Sequence, residues 1–364
     1  DAAGRVEHHW LGYTESQGAP GLLEQIACIY TSIQPGQVLV HSGAEEAIFL
    51  FMHAALQPGD HAVVHSPCYQ SLAEVARAIG CAVTEWHGQE ANGWALDLDD
   101  LNRNLRPNTR VIVVNTPHNP TGLLISPADY RRIHAVAQQR GILLFSDEVY
   151  RESEYNPAER LPAGCDLSPT AVSLGVMSKT YGLAGLRIGW VASHNAELLA
   201  KMAALKDYTT ICASAPAEFL AELALRHRQQ LAQRNIALIQ RNLRLLDGFF
   251  ERQAQLFSWQ RPRAGSIAFP RYLGGPIEPF CRQLVTETGV LLLPGTLFGD
   301  PHNHFRLGFG RAAAPQALAL LEAFHAVDLG EEVDVLIDRQ VLVEGELLRQ
   351  IPDVTLHLGP LTPD

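Results

Sequence analysis

The run Ser178-Lys179-Thr180-Tyr181-Gly182-Leu183-Ala184-Gly185-Leu186-Arg187-Ile188-Gly189-Trp190 holds the residue types best suited to chemistry in this sequence. A lone lysine is normally a solvated surface group. Lys179 instead follows an apolar, strand-like run and precedes a glycine-rich turn, an enclosed setting that favours a lysine tuned for Schiff-base formation. Lys179-Thr180 also imitates the end of a phosphate-binding P-loop, but the glycines that must precede such a pair are absent, so that reading fails. Upstream, Asn115-Thr116-Pro117-His118-Asn119-Pro120-Thr121-Gly122 follows one strand-like run, and Ser146-Asp147-Glu148-Val149-Tyr150 closes another. Each alone is a weak signal, because Asn-Pro marks turns and an Asp at a strand end is often a helix cap. Their order, with Lys179 and Arg187 downstream, makes the combination strong. Composition and spacing lead to an α/β enzyme with an anion site, and no further.

The elements that must position these residues follow from periodicity. Short apolar runs at 38–40, 61–64, 111–115, 142–147, 171–174 and 189–192 alternate with helical patterns such as 45–56, 71–79 and 129–140. That alternation predicts a mostly parallel sheet covered by helices on both faces. In open α/β sheets ligands collect beyond the carboxyl ends of the strands, where each of these runs gives way to Gly, Pro, Ser, Asn or Asp. Residues 216–253 form an uninterrupted helical pattern that reads as one long connecting helix. Strand patterns at 266–269, 290–293 and 305–309 then suit a smaller α+β lobe at 230–326, after a large domain at 1–229. The alternating stretch 327–364, with strand-like pieces at 333–337 and 354–358, has no functional reading.

The 28 basic and 39 acidic residues leave a net charge of −11, which disfavours nucleic acid and anionic lipid as partners. An anion must therefore be captured by local donors. Cys28, Cys68, Cys81, Cys165, Cys212 and Cys281 are scattered without a metal-site or disulfide spacing, and read as reduced, cytoplasmic thiols. No stretch reaches the roughly 20 apolar residues of a membrane span, and the acidic residues 1–7 do not read as a signal peptide.

The motifs Asn119-Pro120-Thr121-Gly122, Asp147 with Tyr150, the Ser178–Gly189 run and the late Arg306 resemble, in this order, the pyridoxal phosphate-dependent aminotransferases of fold type I, class I/II. The resemblance spans about residues 13–326. It implies a mostly parallel seven-stranded sheet sandwiched by helices, a smaller C-terminal domain, and pyridoxal 5'-phosphate as cofactor. Lys179 would hold the cofactor as an internal aldimine and later shuttle a proton at Cα. Asp147 would keep the ring nitrogen protonated. Asn119 and Tyr150 would hydrogen-bond the ring oxygen, and Tyr69 would stack on the ring face. The backbone of Ser42, Gly43, Ala44 and Glu45 at a helix start, with Arg187, would bind the phosphate. Tyr13 would reach the phosphate of the neighbouring subunit, making the enzyme a homodimer with shared sites. Arg306 would grip the substrate carboxylate bidentately, leaving the Cα–H bond aligned for proton loss.

Two departures accompany the resemblance. Val176 stands where the family usually has a phosphate-binding hydroxyl residue, which leaves Ser178 to compensate. Relatives also have additional residues before the position of Asp1, part of an arm and of the substrate pocket. The leading expectation is amino transfer between an L-amino acid and a 2-oxo acid. An alternative comes from the likeness of Asn119-Pro120-Thr121-Gly122, the Lys179 run, Lys206-Asp207-Tyr208-Thr209-Thr210 and Phe305-Arg306-Leu307-Gly308-Phe309 to capreomycidine synthase-like members, which cyclise a hydroxylated arginine. Glu15 and Glu45 are then candidate partners for a guanidino group. A non-catalytic cofactor-binding module, as in some transcription regulators, is a third possibility that the acidic charge and the pairing of Arg306 with Lys179 oppose.

Overall fold

A computed structural model describes residues 11–328. Seven strands build its central sheet: β1 (Val38–His41), β2 (His61–Ser66), β3 (Ala82–His87), β4 (Thr109–Asn115), β5 (Leu143–Asp147), β6 (Ala171–Val176) and β7 (Gly189–Ser193). Their spatial order is β1-β7-β6-β5-β4-β2-β3. Strands β2 to β6 pair in parallel, and β7 runs antiparallel to both its neighbours, β1 and β6.

The interior strands are apolar on both faces because both are covered. Val111 and Val113 join one core with Ala47, Phe51 and Phe145, while Ile112 and Val114 join another with Tyr130, Ile133 and Leu144. Each such side chain, fully buried, contributes about 1.5–3 kcal/mol. The covering helices carry their own boundary signals. Ser126 Oγ accepts from Asp129 N (3.0 Å) at the start of helix Pro127–Gln139, and Gly80, left-handed at φ 97°, ends helix Ser71–Ile79.

Three elements differ from the sequence-based expectation. β3 carries no continuous apolar run, because it is an edge strand on which only Trp86 is buried. The long helix is two helices, Ala215–Arg226 and Arg228–Arg252, broken at His227 (φ −115°, ψ 21°). The break lets one apolar stripe change partners: Ala221 and Leu225 pack with Leu22 and Ile26, whereas Ile239, Leu243 and Leu246 face a different core. In the stretch 290–293 Val290 and Leu292 are buried, yet only Leu293 pairs, as part of strand Leu293–Pro294.

That different core gathers residues from Ile239 to Phe324 around Phe249, Phe257, Phe280 and Phe305. Its three-stranded sheet sets strand Phe305–Gly308 between Leu293–Pro294 and Ile267–Ala268. Helix Ala314–Asp328 ends the described chain, so the strand-like pieces at 333–337 and 354–358 lie outside the described residues. Among the described residues no helix is long and apolar enough to cross a membrane, and no group of His, Cys, Asp and Glu has the arrangement of a metal site.

Candidate active site

Beyond one edge of the sheet, strand register brings distant residues together. Asn115 pairs with Asp147 and Asp147 with Leu174, so β4 and β5 end level and β6 runs on past them to Val176. Gly189 pairs with both Val176 and His41, so the loops after β1 and β6 leave the sheet side by side.

Asp147 is buried, and Asn115 ties it to the neighbouring loop. The Asn115 Nδ2 donates to the Asp147 carbonyl (2.9 Å) while its Oδ1 accepts from Asn119 N (2.6 Å). The Asp147 carboxylate accepts from Val149 N (3.1 Å). Burial pushes its pKa up to about 7, against that hydrogen bond and the Lys179 charge, which favour the ionised form. Asn119 is buried as well, and its Oδ1 has no hydrogen-bond partner among the described residues.

Lys179 departs from expectation in one respect. β6 is buried but the lysine itself is exposed, because the chain turns out of the sheet after Met177. The turn is pinned from several sides. Met177 N bonds Ile188 O (3.0 Å), Thr180 Oγ1 donates to Arg151 O (2.7 Å), Tyr181 OH to Glu152 (3.1 Å), and Asn235 Nδ2 to Thr180 O (2.9 Å). Lys179 Nζ thus stands 5.9 Å from the ring centre of the buried Tyr150.

The anion cradle is narrower than the sequence suggests. Ser42 N donates to Glu46 Oε2 (2.6 Å) and Gly43 N to His41 O (2.8 Å), so both amides are already used. Ala44 and Glu45, in the first turn of helix Ala44–Ala55, have no intrahelical acceptor for their N–H groups. Gly43 is left-handed (φ 93°), and a Cβ there would lie 2.4 Å from the Arg187 guanidinium, so glycine lets that cation close over the loop. Arg187 is itself left-handed (φ 54°), with one guanidinium N–H on Ala184 O (3.2 Å). Val176 is packed in the core and Ser178 is half-buried beside Lys179. Glu46, Thr209 and Thr210 were not selected from sequence as a group. Burial alone would raise the Glu46 pKa, but hydrogen bonds from Thr209, Ser42 N and Thr210 outweigh it and hold the carboxyl below its usual range.

Tyr69 follows β2 and hydrogen-bonds Glu45; burial and the Glu45 carboxylate push its pKa up to about 12, while Arg306 pulls the other way and Asp147 adds to the rise. One half-exposed tyrosine therefore senses Glu45, Arg306 and Asp147 together. A cavity of about 620 Å³ opens beside it, lined by Glu45, Phe49, Tyr69, Gln70 and Glu74. Arg306, on strand Phe305–Gly308, is half-buried. Tyr13 stands apart, 79% exposed on this chain.

These residues fit a pyridoxal phosphate group. A buried carboxyl facing a lysine, an orphaned buried amide oxygen at Asn119 and a glycine cradle under an arginine are the features that its ring nitrogen, ring hydroxyl and phosphate would satisfy.

Sheet order and cleft are those of a fold type I pyridoxal phosphate enzyme. The family model for class I and II aminotransferases matches residues 5–321, and the chain belongs to that family, whose members depend on this cofactor. Capreomycidine synthase from Streptomyces vinaceus is 32% identical over 288 residues, covering 78% of this chain and 73% of the relative. Among solved structures, a PLP-dependent aminotransferase from Streptococcus suis superposes with a TM-score of 0.85 at 32% identity, covering 92% of this chain and 88% of the other. A PLP-dependent cyclase, OrfR, superposes at 0.82 and 35% identity, covering 88% and 86%.

Proposed function

We propose that the protein moves an amino group between an L-amino acid and a 2-oxo acid as a homodimer, with Lys179 as the residue that bonds the cofactor covalently. What supports this is that Asp147, at the end of β5, lies within electrostatic reach of Lys179, and Tyr69 within reach of both Asp147 and Arg306, in a chain of this family.

When bound, the cofactor supplies an electron-accepting ring conjugated to the substrate's Cα. Asp147 would hold the proton on the ring nitrogen, a pairing that gains strength in a desolvated site because charge attraction is larger out of water. Asn119 and Tyr150 would bond the ring hydroxyl, and Tyr69 would supply an apolar face for the ring. Ala44 N, Glu45 N, Arg187 and Ser178 would hold the phosphate, and Gly43 leaves the clearance that a side chain would fill. Lys179 would be the residue that holds the cofactor covalently, and its amine would hold and move the proton at the substrate's Cα. Arg306 grips the carboxylate and orients the Cα–H bond. Tyr13, exposed on this chain, would reach the partner's phosphate.

A second reading is cyclisation of an arginine derivative on the same residues. Glu45 favours it: the carboxylate bonds Tyr69 and lines the cavity, and among the described residues it has no ion-pair partner, so a cationic side chain would complete it.

Borohydride treatment of the loaded enzyme, followed by peptide mass mapping, is expected to place the cofactor on Lys179. The holoenzyme is then mixed with a panel of L-amino acids that includes hydroxylated arginines. Loss of the yellow absorbance that a 2-oxo acid restores supports transfer. Turnover of an arginine derivative without consumption of a 2-oxo acid supports cyclisation instead. No label at Lys179 and no spectral change with any amino acid would overturn both.

A further inference from the structure

Arg306 is carried on a stack of aromatic rings. Its guanidinium lies 5.2 Å from the centre of the Phe298 ring. Phe298 meets Phe269 edge to face at 6.0 Å, and Phe269 stacks on His304 at 5.0 Å with 11° between planes. Trp94, from the hairpin 89–95 that follows β3, closes the stack edge-on to His304 at 4.9 Å.

The stack has no slack. The turn Gly295–Phe298 is fastened by Gly295 N on His304 O (2.6 Å) and Asp300 N on Gly295 O (3.0 Å). A Cβ at Gly295 would lie 2.8 Å from the His304 carbonyl and 3.2 Å from the Phe269 ring. A displacement of His304 is therefore passed to the turn that carries Phe298.

His304 is buried between two carboxylates, its Nδ1 2.7 Å from Asp300 and its Nε2 3.3 Å from Glu90. The second oxygen of Glu90 lies 3.2 Å from Arg271, and its backbone carbonyl accepts from Gln260. Glu90 comes from the hairpin after β3, whereas Arg271, Gln260, Asp300 and His304 all come from the C-terminal part of the chain. One carboxylate is thus met by an arginine and a histidine from the C-terminal part of the chain.

We propose that Glu90 is a positioning residue for Arg306: held by His304 and Arg271, it fixes the aromatic stack that sets the guanidinium at the height where a substrate carboxylate binds. This rests on the reading of Arg306 as the carboxylate grip. Glu90 acts on Arg306 through the stack, so its loss should be felt first where the carboxylate is bound and only through that grip where bonds are broken.

The test uses the holoenzyme, the amino acid that bleaches it in the panel above, and the matching decarboxylated amine. Glu90→Gln is expected to raise the KM for the amino acid about ten-fold and to lower kcat by a smaller factor, since a small misplacement of a bidentate grip weakens binding and tilts the Cα–H bond. The half-reaction with the amine, which has no carboxylate, is expected to be unaffected. His304→Gln, which removes a ring of the stack as well as the contact with Glu90, should raise the KM at least as much as Glu90→Gln. Adding Glu90→Gln to Arg306→Lys should change nothing further. An equal loss with amino acid and amine, or a lower kcat at unchanged KM, would overturn the proposal. If Arg306→Lys raises the KM and Glu90→Gln does not, the proposal alone fails; if neither raises it, the grip fails with it.

Discussion

At the scale of single residues, the site combines groups whose type the chemistry demands with groups that only hold them. Lys179, Asp147 and Asn119 are legible in the sequence because an amine, an acid and an amide must stand at consecutive strand ends. Asn115, Glu46 and Glu90 are not, because each acts through partners whose contact depends on the fold, such as Thr209 for Glu46 and His304 for Glu90. Asp147 yields a pH prediction. Its folded pKa is raised to about 7 by burial, above its ordinary value. In the cofactor-free protein its contribution to stability is then fully present below about pH 4 and lost as pH rises toward 7, with a total on the order of a few kcal/mol. Urea unfolding at pH 5 and pH 7 should show wild type losing more stability over this interval than Asp147→Asn. Equal losses in the two proteins would contradict a raised pKa.

At the scale of elements, the interior strands and helix Ser71–Ile79 could be read from sequence because burial on a fixed face leaves a periodic trace. β3 and the break at His227 could not, since an edge strand needs no apolar run and a helix that changes partners keeps its pattern through the bend. The junction of β1 and helix Ala44–Ala55 depends on a backbone conformation costly to other residues. Gly43→Ala should cost about 1–2 kcal/mol of strain at the left-handed position and push the Arg187 guanidinium aside. The expected result is a folded protein whose affinity for pyridoxal phosphate falls ten-fold or more, about 1.4 kcal/mol per factor of ten, read by absorbance titration. Unchanged affinity would mean that the loop does not form the phosphate cradle.

At the scale of the whole molecule, Tyr13, Phe49, Tyr208 and Ile211 leave apolar surface exposed on the single chain, with Tyr208 91% accessible. On the homodimer reading this surface meets its copy, and each site borrows Tyr13 from its neighbour. Tyr13→Ala and Lys179→Ala variants, each impaired alone, should then recover activity when unfolded and refolded together, because one site of the mixed pair has both residues intact. Light scattering that finds only monomers, or no recovery on mixing, would count against shared sites.

The antiparallel run of β7 has one further consequence. Because Val176 and Gly189 are bonded neighbours, the chain between them is a closed bight whose two ends cannot drift apart. Lys179 and Arg187 both ride on that bight, while Arg306 belongs to the other core. A hinge between the cores would therefore leave the seat of the cofactor undisturbed and adjust only the hand that holds the incoming acid, so affinity for the two could be tuned separately.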